Sequence, residues 1–216
     1  MADEKDKTTY NLTEPVVMTF PNLHEARAFG QKGKESGEPK YSANFNFAPE
    51  SADLKAMKAL CAKVAKARWP GRDLKELVFP FANGTKLADE AKAKGKDREF
   101  NRGQVVLAAR SKYEPRLSGI ENGVAVDYEG DARKASKGKF YAGVLVLAQV
   151  NFVAYDGVGR NPDGVTAYLN MVFTTNKGTR LNQGQTAAEV FKGYVGSVSA
   201  EDPTAGQFAV DDEMPF

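Results

Sequence analysis

The sequence predicts a mainly β fold, a closed antiparallel barrel with inserted helices, and three observations point to it. Residues Tyr41 to Phe47 alternate, with Tyr41, Ala43, Phe45 and Phe47 on one face and Ser42, Asn44 and Asn46 on the other, the period of a half-buried strand. Phe140 to Tyr155 is a long apolar run whose β-branched content (Val144, Val146, Val150, Val153) favours a bent strand over a helix. Val165 to Thr175 returns as its hairpin partner. Helical spacing is clear at Pro49 to Arg68, where Leu54, Met57, Leu60, Cys61 and Val64 lie opposite Lys55, Lys58, Lys63 and Lys66.

Taken in order, residues 1–12 read as a flexible charged arm. Thr13 to Phe20 is a first strand, closed by Pro21 and Asn22, and Leu23 to Lys40 is a long loop rich in glycine and charge. The alternating strand comes second. In the helix behind it, Ser51 caps the first turn, Asp53 complements the positive end of the helix dipole, and Trp69-Pro70-Gly71 ends it. Asp73 to Phe81 is ambiguous, and Lys86 to Lys96 is a weak Ala/Lys helix or loop. Gln104 to Ser111 and Gly123 to Tyr128 read as strands, and Asp156 to Gly164 as a tight polar loop before the last one. Thr186 and Glu189 form a capping box for a short helix bearing Val190, Phe191 and Tyr194. At least five strands with antiparallel connections suit an OB-type barrel. One feature departs from it: that fold usually carries its helix between the third and fourth strands, and here the clear helix follows the second. The expected organisation is an arm (1–12), one OB-type domain (13–196) and a disordered acidic tail (197–216).

The bulk numbers narrow the function classes. The chain has 216 residues and a hydrophobic fraction of 42%, enough for a sizeable core. No apolar run approaches the ~20 residues of a membrane span. Residues 1–12 do not form a secretory signal, and the one cysteine, Cys61, rules out an internal disulfide framework. Both favour a reducing, cytoplasmic setting. The formal net charge of +2 hides an asymmetry: five of the 28 acids (Glu201, Asp202, Asp211, Asp212, Glu213) fall in residues 201–216, which hold no Lys or Arg. Residues 1–200 therefore carry 30 basic against 23 acidic groups, a balance of +7, the layout of a polyanion binder with an anionic appendage.

Catalytic chemistry finds little support. One His (His24) and one Cys leave no zinc-site spacing, and Gly30-Gln31-Lys32-Gly33-Lys34 lacks the phosphate-loop pattern, with Glu35 where Ser or Thr would stand. Neither a cofactor nor a metal nor enzymatic activity is expected. The alternative is a metal-dependent nuclease using Asp127, Glu129 and Asp131, which alternate and would project to one side of a strand. Binding of a single strand asks instead for Lys and Arg along a backbone path and for aromatic faces on which bases stack. Such residues interleave at Arg110, Lys112, Tyr113 and Arg116, and again at Arg133, Lys134, Lys137, Lys139, Phe140 and Tyr141, with Tyr128 between. The loops that would clasp a ligand in an OB barrel are 23–40, with Arg27, Lys32 and Lys34 leading to Tyr41, and 156–164, with Arg160.

The last six residues are Asp211, Asp212, Glu213, Met214, Pro215 and Phe216, behind a small, polar stretch that buries too little to order itself. Three acids, an aliphatic residue, Pro and a terminal Phe resemble the tip of bacterial single-stranded DNA-binding proteins. The whole chain resembles the phage type, a basic OB body before an acidic tail ending in Phe. The resemblance implies that the body coats and protects single-stranded DNA without sequence preference. It also implies that Asp211, Asp212, Glu213, Met214, Pro215 and Phe216 dock replication and recombination proteins. A phage-encoded protein of this kind would work in the bacterial host cytoplasm; a homodimer is compatible with the sequence but not specified by it.

Overall fold

The alternating stretch at residues 41–47 is the inner part of a much longer strand. The computed structural model describes residues 8–31, 34–159 and 162–181, with the backbone alone for 29–31 and 34–36. The strands are β1 (Thr9–Asn11), β2 (Val16–Gln31), β3 (Lys34–Phe47), β4 (Phe81–Asn83), β5 (Val105–Ser111), β6 (Arg116–Glu121), β7 (Val124–Tyr128), β8 (Val144–Tyr155) and β9 (Gly164–Gly178). Three α-helices are interleaved with them among these residues: α1 (Ala52–Arg68), α2 (Gly84–Lys92) and α3 (Gly130–Ala135).

Five strands close on themselves. The path runs β8–β2–β3–β5–β9 and returns from β9 to β8. Every pairing is antiparallel except β5–β9, which is parallel and rests on one rung, Ala109 opposite Ala167. This is an OB-type barrel, with β2, β3, β5, β8 and β9 as its five strands. The helix is indeed displaced: α1 joins the second and third barrel strands, and the β6–β7 hairpin with α3 occupies the usual helix position between the third and fourth. β6 pairs parallel to β9, extending the sheet beyond the barrel.

Alternation sorts the barrel strands by side. Met18, Phe45, Phe47, Leu107, Val146, Phe152 and Leu169 are all buried in one core. Each such side chain contributes roughly 1.5–3 kcal/mol by leaving water. α1 packs against β8 and β9 and adds Leu54, Met57, Cys61 and Ala65 to that core. Its N-terminus is built as the sequence implies: Leu54 N donates to Ser51 Oγ at 3.4 Å. Burial pushes the Cys61 thiol up to about 12, so it is a core atom and not a nucleophile.

The structure corrects four expectations. Residues 9–11 are not part of a free arm: β1 pairs with β8, Tyr10 opposite Val150. The first strand does not stop at Pro21; it continues through a register shift between Thr19 and Asn22, with Phe20 at φ 51°, and so accommodates a proline that a regular central strand would reject. The described residues of the expected loop, 23–31 and 34–40, are consequently the outer half of a β2–β3 ribbon. The long apolar run enters its strand only at Val144, because residues 140–143 form a turn in which Val144 N donates to the Tyr141 carbonyl at 3.2 Å and Gly143 takes a φ of 103°. β6 and α3 were not anticipated, since Arg116–Glu121 and Gly130–Ala135 are too short and too polar to carry a period. The proposed helix at Thr186, the tail and its tip lie outside the described residues.

Candidate nucleic-acid interface

Beyond the Tyr41–Ser111 rung, β2 and β3 pair only with each other among the described residues, through Arg27 opposite Lys40 and Gly30 opposite Glu35. The base of this ribbon is clamped by Arg133 of α3. Its guanidinium donates to the Leu23 carbonyl at 2.7 Å and the Pro115 carbonyl at 2.9 Å, and lies 2.7 Å from Glu114 Oε1. With its side chain only 12% exposed, Arg133 is a bracket between ribbon, α3 and the 112–115 loop and is not open to a phosphate. His24 completes the joint: its ring stands edge-on to Phe140 and its Nε2 lies 3.2 Å from Ser136 Oγ. Burial, reinforced by the nearby Arg133 charge, lowers its pKa, so the imidazole is neutral at pH 7.

Three sequence-predicted residues meet at this joint. Arg27, Lys137 and Tyr141 line one cleft, with His24 and Arg180. Lys137 Nζ is 3.2 Å from Glu25 Oε1. The Tyr141 hydroxyl donates to the Gly178 carbonyl at 3.0 Å, and the Arg180 guanidinium covers its ring at 4.2 Å. Arg180 was not singled out in the sequence, because only the fold carries the end of β9 back to Tyr141.

A second group gathers where β5 leaves the barrel. Arg110 lies opposite Ser42 of β3, which in turn faces Asn22 of β2, and Asn22 Nδ2 donates to Ser42 Oγ at 3.1 Å. Lys112 is paired with Glu38 of the ribbon; the hydrogen bond between them raises the ammonium pKa and lowers the carboxyl pKa. Tyr113 is 83% exposed, with its ring open to a stacking partner. Tyr168 on β9, also exposed, stands near Lys112, and no basic neighbour in sequence points to it. Arg116 is paired with Asp127 at 2.9 Å. Exposed pairs of this kind contribute only ~0–1 kcal/mol, so a phosphate can compete for the cation.

Other candidates are placed elsewhere. Tyr128 is 4% exposed and edge-on to Phe140 at 6.1 Å, so it is a core residue and offers no face to a base. Lys139 is spent on Glu121 and on the Tyr128 ring and hydroxyl. Lys134 pairs along α3 with Asp131 at 2.9 Å. Tyr41 is half-buried where β3 enters the barrel opposite Ser111. Of Lys34 only the backbone is described, and Lys32, Arg160 and the tip, Asp211, Asp212, Glu213, Met214, Pro215 and Phe216, lie outside the described residues. The acidic trio is not assembled: Asp127 serves Arg116, Asp131 serves Lys134, and Glu129 sits at the start of α3. Among the described residues no three His, Cys, Asp or Glu side chains converge as a metal site would require.

One aromatic–cation contact has no counterpart in the sequence pattern. Phe20 meets Phe100 with ring centroids 6.0 Å apart, and the Arg98 guanidinium lies 4.5 Å above the Phe20 ring. Some eighty positions separate the partners, so no local signal could have joined them.

Comparison with known proteins agrees with this architecture. The model of the family described as Enterobacter phage Enc34, ssDNA-binding protein, matches residues 9–203. A protein designated p50 of Acyrthosiphon pisum secondary endosymbiont phage 1 is 27% identical over 175 residues, spanning 80% of this chain and 86% of that one. The solved structure of the single-stranded DNA-binding protein from bacteriophage Enc34 superposes with a TM-score of 0.59 at 17% identity, covering 84% of this chain and 88% of its own. The same phage protein in complex with ssDNA gives 0.59 at 18% identity, over 81% and 90%. At such identities the structural likeness is one of fold.

Proposed function

The chain belongs to the family of the Enterobacter phage Enc34 ssDNA-binding protein, and on that premise we propose that it binds single-stranded DNA without sequence preference. The observation that carries the reading is the grouping of Arg110, Lys112 and the open Tyr113 ring at the edge of an OB barrel, beside a charged β2–β3 ribbon. Cations there neutralise phosphates irrespective of sequence, and an exposed phenol accepts any base face. In this reading the protein is a binder and not an enzyme. It coats and protects single strands during phage replication and recombination in the host cytoplasm. Residues 211–216 recruit partner proteins, with Phe216 as the docking group and Asp211, Asp212 and Glu213 as its ionic anchors. This last part rests on the resemblance of the tip.

A gel shift with a labelled single strand, challenged by duplex DNA and by RNA at low and moderate salt, tests the central claim. A shift resisted by duplex competitor supports it, and no shift at low salt refutes it. Incubation of the same strand with Mg²⁺ or Mn²⁺ should leave it uncut; cleavage abolished by replacing Asp127 would restore the nuclease alternative.

A further inference from the structure

Phe20, Arg98 and Phe100 form, we propose, a second base-stacking subsite, remote in sequence from every aromatic considered above and fed by its own cations. The inference rests on the reading of the chain as a single-strand binder and adds a place on the surface where an unpaired base is held.

Three observations converge on it. The first is the backbone of Phe20, whose φ of 51° lies in the left-handed region that Gly or Asn occupies at lower cost. An aromatic residue in a strained turn is a pointer to function when its side chain is presented and not hidden. Phe20 and Phe100 are each half-buried, so part of each ring meets solvent.

The second is how deliberately the opposite ring is held. Phe100 sits in a 3-10 turn (Glu99–Asn101) fastened to the outer side of β3, opposite the face that carries Phe45 and Phe47 into the core. Asn46 Nδ2 donates to the Phe100 carbonyl at 3.2 Å and to Asn101 Oδ1 at 2.9 Å, and Asn46 and Asn101 are both buried. The chain behind the turn is pressed equally close: a Cβ on Gly84 would fall 2.1 Å from the Asn101 carbonyl oxygen. On the other side, Asn22 Nδ2 reaches the Phe20 carbonyl at 3.5 Å as well as Ser42, the residue opposite Arg110. The two rings are thus set by buried or bridging amides on a rigid barrel and continue the row that leads to Arg110.

The third is charge. Lys92, Lys94, Lys96 and Arg98 alternate along the segment that leads into the turn, and none forms an ion pair with another described residue. The cations on β6 and α3, by contrast, are paired: Arg116 with Asp127, Arg133 with Glu114 and Lys134 with Asp131. Arg98 instead lies over the Phe20 ring, where it can stack on a base, contact a phosphate, or do both. Aromatic faces beside unpaired cations are the combination that single strands select. An acidic peptide would use the cations but has no need of the strained ring.

The test uses the full chain and two strands of equal length and charge, one bearing bases and one made of abasic spacers. Phe100→Leu keeps the apolar packing and removes the aromatic face, while Phe20→Gly removes the ring and relaxes the backbone. Each is expected to bind the base-bearing strand roughly tenfold more weakly, to bind the abasic strand as the parent does, and to leave the salt slope and the melting temperature unchanged. Arg98→Ala should weaken both strands. Parent-like affinity of both Phe variants for the base-bearing strand overturns the subsite while leaving the proposed function in place. Equal loss on the two strands, or tighter binding, also overturns it, the latter by making the site a dock for the acidic tail. If the parent itself fails to bind either strand, the proposed function falls first.

Discussion

Asp53 is 2% exposed, and its carboxylate accepts hydrogen bonds from the Tyr10 hydroxyl, the Thr13 hydroxyl and the backbone N–H groups of Thr13 and Glu14. It thereby fastens the segment after β1 to the first turn of α1. Burial alone would raise its pKa, but the hydrogen bonds from Thr13, Tyr10 and Glu14 outweigh it and hold the group below its ordinary value. Burial, followed by the hydrogen bond to Asp53, pushes the Tyr10 phenol up to about 12. A depressed carboxyl stabilises the fold above its unfolded pKa and ceases to do so as pH falls through its folded one. Asp53→Asn should cost about 2 kcal/mol at neutral pH, and its chemical-denaturation midpoint should fall less than the parent's between pH 5 and the acid limb, by roughly the lost increment. Cys61 offers a simpler check. Fully buried and with a raised pKa, it should react with a thiol reagent only after denaturant unfolds the chain; rapid labelling of the native protein would contradict the core assignment.

The β2–β3 ribbon is the element that departs furthest from the sequence pattern. Replacing residues 29–36 by a two-residue Asn-Gly turn removes Lys32 and Lys34 and the outermost rungs, but none of the core side chains named above. The melting temperature should therefore hold, while the slope of log affinity against log salt should shrink by about 1.4 for two lost phosphate contacts on a single strand. Why the ribbon was illegible in the sequence is instructive. Residues 23–40 carry glycines and scattered charges, and those described as exposed (Glu25, Arg27, Gly37, Glu38, Pro39) meet water whichever side they take, so no alternation marks the strands. Ala43, Phe45 and Phe47, with one face in the core, were plain. The same holds for the site: Tyr113 was found because Arg110, Lys112 and Arg116 are its neighbours in sequence. Tyr128 was misjudged because a basic neighbourhood does not reveal that Phe140 and Lys139 enclose its ring. Phe20 and Phe100 were invisible, since their meeting depends on a buried Asn46–Asn101 bond between distant segments.

At the scale of the whole molecule, charge and closure set the behaviour. If about six phosphates are neutralised, the salt slope for a single strand should be about −4. Residues 201–216 carry five acids against a body of +7, and a tethered anion acts at an effective concentration up to the millimolar range. Removing those sixteen residues should tighten single-strand binding several-fold at low salt and little at high salt; identical titrations of the two proteins would show that the tail does not compete. Closure has a temporal side as well. β2 meets β8 through Val16 opposite Val146, 130 positions later in the chain, and β1 finds its only described partner, β8, at comparable distance. At a synthesis rate of about 5–20 residues per second, the free edge of β2 waits on the order of 10 s on the ribosome before the strand that covers it exists. During that interval the nascent chain presents an unpaired apolar edge to its neighbours. A fragment ending at residue 143 is frozen at that stage of synthesis, and it should be recovered in aggregates or bound to chaperones.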